Sequence, residues 1–166
     1  MYNAQRSIVE QTIHNTTSWI GHRNFDDKDV AAGQTFVSTA EGDLETIEVF
    51  PTVVTKPGKV VMTVYEFDEQ QNRWGSSLGS TDVEFTKDSH GRWVPFHLKG
   101  LHLDKGKTYG FKLESNDTYI GVGEAAGSAK NPPLDSGKEW KFENNQQQPK
   151  AFRYFSLAFK VGVKAA

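Results

Sequence analysis

"KVVMTVYEFDEQQNRWGSSLGSTDVEFTKDSHGRWVPFHL", residues 59–98, decides the fold. Three extended patterns stand in a row, each followed by turn residues. In "KVVMTVYEF" (59–67), Val60, Met62 and Val64 share one face, and Val61, Tyr65 and Phe67 share the other. A strand that is apolar on both faces belongs in the middle of a structure rather than at its rim. "STDVEFT" (80–86) alternates, with Val83 and Phe85 inward and Asp82 and Glu84 outward. "RWVPFHL" (92–98) places Val94, Phe96 and Leu98 on one face, with Trp93, Pro95 and His97 on the other. Between the first two lies a polar loop that carries a tryptophan, Trp74, with Leu78 beginning the return strand.

The same period of two extends in both directions. "GQTFVST" (33–39) alternates weakly, and "LETIEVFPTVV" (44–54) reads as a strand in which Pro51 marks an edge or bulge. "KTYGFKLES" (107–115) buries Tyr109, Phe111 and Leu113, and "TYIGVG" (118–123) is a short strand. "KEWKFE" (138–143) places Trp140 and Phe142 on one face, read as the inward one. "NNQQQPK" (144–150) is a polar hairpin loop, and "FRYFSLAFKVGV" (152–163) closes the chain with Phe155, Leu157, Phe159 and Val161 on one face. About nine strands at short, regular spacing predict an all-β, antiparallel β-sandwich. Residues 30–166 are expected to form it. Residues 1–29 read as a lead-in, a short helical or irregular segment, because Ile8, Val9, Ile13 and Ile20 recur loosely at helical spacing and Ser7 with Glu10 fits a capping box.

Composition narrows the function. A chain of 166 residues suits one domain with a substantial core. Without cysteine there is no disulfide framework and no thiolate nucleophile. A net charge of −2 with no basic stripe argues against nucleic acid as a partner. No apolar run reaches the ~20 residues of a membrane-spanning helix. "MYNAQRSIVEQTIHNTTSW" lacks the basic-then-apolar order of a signal peptide, so either the protein is not exported by that route or its chain starts after a removed signal.

The order of "VAAGQTFVSTAEGDLETIEVF", "GKVVMTVYEFD", "SSLGST", "GRWVPFHLKGLHLDKGKTYGFKLES" and "KEWKF…YFSLAFKVGV" resembles a broad group of β-sandwich modules of bacterial secreted and surface proteins. The resemblance covers roughly residues 30–163. It implies a jelly-roll, galactose-binding-like fold related to carbohydrate-binding modules, and an extracellular or cell-surface setting. Many members of the group have no known function, and such modules often hold a structural calcium. The motifs are packing signals, so they speak to fold more than to ligand.

The search for chemistry leaves few candidates. His97 and His102 lack the His-x-His pattern of a strand-borne metal site. No facing carboxylate pair, Gly-x-Ser-x-Gly elbow or phosphate-cradling loop stands out, which points to a protein that is not an enzyme. Asp26, Asp27 and Asp29 in "NFDDKD" could offer oxygen ligands to calcium, or simply form a solvated turn. Sugar binding needs exposed rings beside hydrogen-bonding side chains. Trp74 with Arg73 and Asn72, Trp93 with His97, and Tyr119 with Glu124 and Asn131 are the candidate sites. The expected function is therefore non-catalytic binding, with carbohydrate as ligand. The alternatives are a structural or protein-interaction module whose partner is another protein, and an enzyme with a site invisible in sequence. The oligomeric state is not fixed by any motif.

Overall fold

The computed structural model describes residues 5–144 and 148–164. Among them are fourteen strands: β1 (Gln5–Gln11), β2 (Thr16–Arg23), β3 (Lys28–Val37), β4 (Gly42–Val49), β5 (Pro51–Val54), β6 (Gly58–Asp68), β7 (Arg73–Phe85), β8 (Val94–Leu103), β9 (Thr108–Glu114), β10 (Tyr119–Ala126), β11 (Glu139–Glu143), β12 (Lys150–Phe152), β13 (Phe155–Leu157) and β14 (Phe159–Lys164). The smaller sheet runs β1-β14-β4-β8. The larger follows β13-β10-β2-β3-β9-β6-β7, with β11 joined to β3 and β12, and β5 joined to β10. Every pairing is antiparallel. The result is the expected antiparallel sandwich, compatible with a jelly roll.

The core lies between the sheets, as alternation requires. Val60, Met62 and Val64 of β6, Phe36 of β3 and Phe111 of β9 meet Ile47 of β4, Phe96 of β8 and Phe159 of β14, and all are fully buried. Phe159 joins the layers, with ring centroids 6.0 Å from Phe36 and 5.6 Å from Phe111. At the β7–β8 side Phe85 and Phe96 do the same at 5.9 Å.

The chain passes between sheets inside segments that read as single strands. Val49 pairs with Phe159 in the smaller sheet, but Pro51, two residues on, pairs with Val122 in the larger. Leu157 pairs with Glu124 in the larger sheet, while Phe159 lies in the smaller. Gly123 of β10 receives both crossings. Its N–H donates to the Phe50 carbonyl at 2.7 Å, and its own carbonyl accepts from the Ala158 N–H at 2.8 Å. These breaks, together with strands at the N-terminus, raise the count from about nine to fourteen.

The N-terminal expectation is corrected. Residues 5–23 hold neither a helix nor an irregular lead-in but two strands, one in each sheet. β1 pairs with β14, and β2 with β10 and β3. Val9 and Gln11 of β1 and Ser18 and Ile20 of β2 are buried at a spacing of two. Buried Gln11 and Ser18 are polar, so the strand period is hidden from a reading of apolar positions. Gln11 is buried because its amide bridges the chain: Nε2 donates to the Ile13 and Leu157 carbonyls at 2.9 and 3.2 Å, and Oε1 accepts from the Ile13 N–H at 2.9 Å.

Phe159→Ala is expected to destabilise the fold by about 3–5 kcal/mol, because it removes the ring shared by both layers and leaves a cavity. Urea unfolding followed by circular dichroism measures this directly.

Candidate functional site

The β6–β7 hairpin builds the first half of the site. Its turn is shorter than the sequence suggests, because β7 already begins at Arg73. Asp68 Oδ1 accepts from the Gln71 N–H at 3.0 Å, and Asn72 takes a left-handed φ of 52°, which asparagine tolerates well. Asn72 Oδ1 accepts from Lys138 Nζ at 2.7 Å, tying the turn to the segment before β11. Trp74 therefore lies on a strand opposite Phe67, not in a loose loop.

Trp74 sits on the outer face of the larger sheet. On β3 and β9, Phe36 and Phe111 point into the core, and the opposite face carries Gly33 and Gly110. A Cβ at position 110 would come 2.4 Å from Trp74 Cζ3, and one at position 33 would come 3.1 Å from its Cη2. The indole occupies space that only glycine leaves open. Four rings close around it edge-on: Tyr65 at 5.5 Å, Phe67 and Phe142 at 5.7 Å, and Trp140 at 5.8 Å. Such pairs add about 0.5–1.5 kcal/mol each beyond the area they bury. Trp140 was expected in the inter-sheet core with Phe142. It is buried, but on this outer face, opposite Gly33. Alternation told which residues of β11 share a face, not which face is inward.

Two adjoining hollows flank this cluster. One, of about 580 Å³, is bordered by Tyr65, Asn72, Arg73, Trp74, Trp140 and Phe142. The other, of about 530 Å³, is bordered by Asp29, Val61, Glu114, Asn116 and Glu143 among others. Lys112, Phe142 and Pro149 border both, so the hollows form one cleft. Lys112 Nζ stands 4.5 Å over the Phe142 ring and 2.8 Å from Glu114 Oε1. The cleft thus offers rings, a cation, carboxylates and amides on a rigid sheet. The indole N–H groups of Trp74 and Trp140 are buried without a hydrogen-bond partner among the described residues.

The three candidate groups separate. Trp74, Arg73 and Asn72 converge on the cleft. His97 belongs to β8 of the smaller sheet, and Trp93 immediately precedes that strand. Trp93 packs edge-on against Phe50 at 5.2 Å, with Lys160 Nζ 4.3 Å over its ring, and His97 is exposed opposite Thr46. Tyr119 stacks flat on Trp19, 4.9 Å apart at 5°. Asn131 lies in the loop after β10, its N–H donating to Ser128 Oγ at 3.1 Å. Glu124, expected on a ligand rim, is instead buried beside Lys141, with Nζ 3.1 Å from Oε2. Sequence reading missed Tyr65, Lys112, Trp140 and Phe142 as companions of Trp74. The signal was the pair Gly33 and Gly110, which marks a bare patch but not what covers it.

Asp26 and Asp27, in the turn before β3, and Asp29, near its start, are engaged in ion pairs. Asp26 receives Arg23 through both oxygens, at 2.9 and 2.6 Å. Asp27 and Asp29 take opposite nitrogens of His22, at 3.1 and 2.7 Å. Their oxygens serve ion pairs rather than converging on one point. Among the described residues, the one set of three metal-capable side chains whose ligand atoms converge is Glu41, His102 and Asp104, all exposed. The Asp29 hydrogen bond holds the His22 imidazole above its ordinary value, and the Asp43 hydrogen bond does the same for His102. The charged forms then favour the fold at pH below the ordinary imidazole value of about 6.5, and this is lost as pH rises through the raised values.

No protein-family model and no curated protein matches this chain.

Histidine titration by NMR is expected to place the His22 midpoint above 6.5, and Asp29→Asn is expected to bring it down. An unchanged midpoint in that variant would remove Asp29 as the cause.

Proposed function

We propose that this chain is a non-catalytic binding module of the jelly-roll, galactose-binding-like kind, and that the outer cleft takes carbohydrate. The observation that carries this reading is the aromatic cleft itself, where Tyr65, Trp74 and Phe142 stand beside Asn72, Arg73 and Lys112. Rings suit the apolar faces of pyranoses, and the amide and cationic groups suit hydroxyls. The cleft rests on sheet strands and a tight hairpin, so little ordering opposes binding. The resemblance to surface-protein modules supports an extracellular or cell-surface setting for the same activity.

A second reading is a protein-interaction module. The exposed Phe25 and the Trp19–Tyr119 stack favour it, because large exposed rings mark contact surfaces.

Soluble oligosaccharides titrated against the intact chain, with tryptophan emission as readout, are expected to give saturable binding. Arg73→Ala should weaken it about tenfold, a loss of about 1.4 kcal/mol, with the thermal midpoint unchanged. A panel of neutral and acidic glycans that produces no saturable change, together with concentration-dependent self-association, would favour the second reading.

A further inference from the structure

β11 is two-sided. Trp140 and Phe142 face the cleft, and Glu139 and Lys141 face the opposite way. On that side Glu139 and Glu124 of β10 share Lys141, and both carboxyl side chains are almost wholly buried, 0 % and 3 % exposed. Lys141 Nζ lies 3.1 Å from Glu124 Oε2 and 3.6 Å from Glu139 Oε2. It also stands over Phe155 and Phe152, 5.3 and 5.9 Å from their centroids. Neither Glu139 oxygen receives a hydrogen bond from a donor group among the described residues. Among the described residues, neutral polar groups flank the pair from other strands: Thr16 of β2 opposite Glu124, Ser18 of β2, Gln34 of β3 opposite Glu139, and Ser156 of β13 within reach of Gln34 Oε1. Two buried carboxylates facing one ammonium would leave a net negative charge out of water, which is strongly unfavourable. A single proton between the carboxyls removes it.

We propose that the Glu124–Glu139 pair holds one shared proton and acts as a pH-sensitive lock on β11, so that losing the proton loosens the aromatic wall of the cleft. Burial pushes the Glu139 carboxyl well above the usual carboxylate range, and the neighbouring Glu124 carboxyl adds to the rise, while Lys141 and Ser18 oppose it. The sign follows. An unfolded glutamate ionises near 4.3, so above that pH folding takes up a proton at Glu139. This contribution to stability falls as pH rises, until the folded group itself ionises. Two adjacent carboxylates then repel, and Glu139 shares β11 with Trp140 and Phe142 of the cleft wall. The consequence for ligand binding rests on the cleft being the site proposed above; the lock itself does not, and it is read without any ligand.

The test compares the wild-type chain with E139Q from about pH 5 to about pH 9. His22 and His102 titrate in both proteins, so the difference between the two curves isolates the pair. Wild type is expected to lose several degrees of thermal midpoint relative to E139Q as pH rises, and acrylamide quenching of its tryptophans should increase while that of E139Q stays flat. Infrared spectra of the wild type at neutral pH should show the carbonyl stretch of a protonated buried carboxyl. If E139Q fails to fold, E124Q removes the same like-charge contact and should flatten both curves. Parallel melting curves, quenching that rises equally in the variant, or a missing protonated-carboxyl band would each overturn the lock. Glycan titrations at acidic pH separate the two ideas, since sugar binding can fail there while the lock stands.

Discussion

The arrangement depends on one contact: the indole of Trp74 lies where the side chains of residues 33 and 110 would otherwise be. Glycine in the middle of a strand ordinarily weakens it. Here the missing Cβ atoms leave a shallow trough on the outer face of the larger sheet, and an aromatic cluster fills it. Tyr65, Phe67, Trp140 and Phe142 pack edge-on around the indole, and the cleft is the space beside them. The outer face of this sheet is therefore a second apolar layer, which is why "KVVMTVYEF" is apolar on both sides.

The strand that completes the cluster is short and joined to the sheet on its Gly33 side by β3. β11 covers the trough with two rings and turns two charges the other way, toward Glu124. Gln34, opposite Glu139, accepts from the Leu157 N–H at 2.9 Å and so ties β3 to β13. One strand away, Gly123 anchors both returns of the chain to the smaller sheet. The polar interior, the sheet crossings and the cleft wall thus meet within a few residues of β10 and β11. A change of charge there reaches the cleft through a single layer of backbone.

Much of the fold was legible in the sequence. The faces of β8 and β9 follow from alternation of Val94, Phe96, Leu98, Tyr109, Phe111 and Leu113, all of which are buried, and β6, apolar on both faces, reads as a central strand. What alternation could not give was sidedness. In "KEWKFE" both faces are covered, one by rings and one by a carboxyl pair, so alternation alone does not assign Trp140 to its layer. Sheet crossings at Phe50 and Ala158 leave no break in the apolar pattern, because each residue on either side is buried in its own sheet. The N-terminal strands were masked by buried polar residues. For the site, Trp74, Arg73 and Asn72 were recognisable as aromatic and polar neighbours in one hairpin, and Tyr65 lies on the other arm of that hairpin, whereas Lys112 and Phe142 come from strands distant in sequence, and only pairing brings them together. The Glu124–Glu139 pair, 15 residues apart across a loop, had no local signature at all.

The central claim, that bare backbone at the trough seats Trp74 and with it the cleft, is tested most directly by Gly110→Ala. Chemical unfolding would be measured together with near-ultraviolet circular dichroism of the indoles. An added Cβ must displace the ring, so the account expects a loss of about 1–3 kcal/mol and a collapsed aromatic signal. Glycine replaced by alanine in an unobstructed strand gains about 0.5–1 kcal/mol. A variant as stable as wild type or more so, with its aromatic signal intact, would contradict the account.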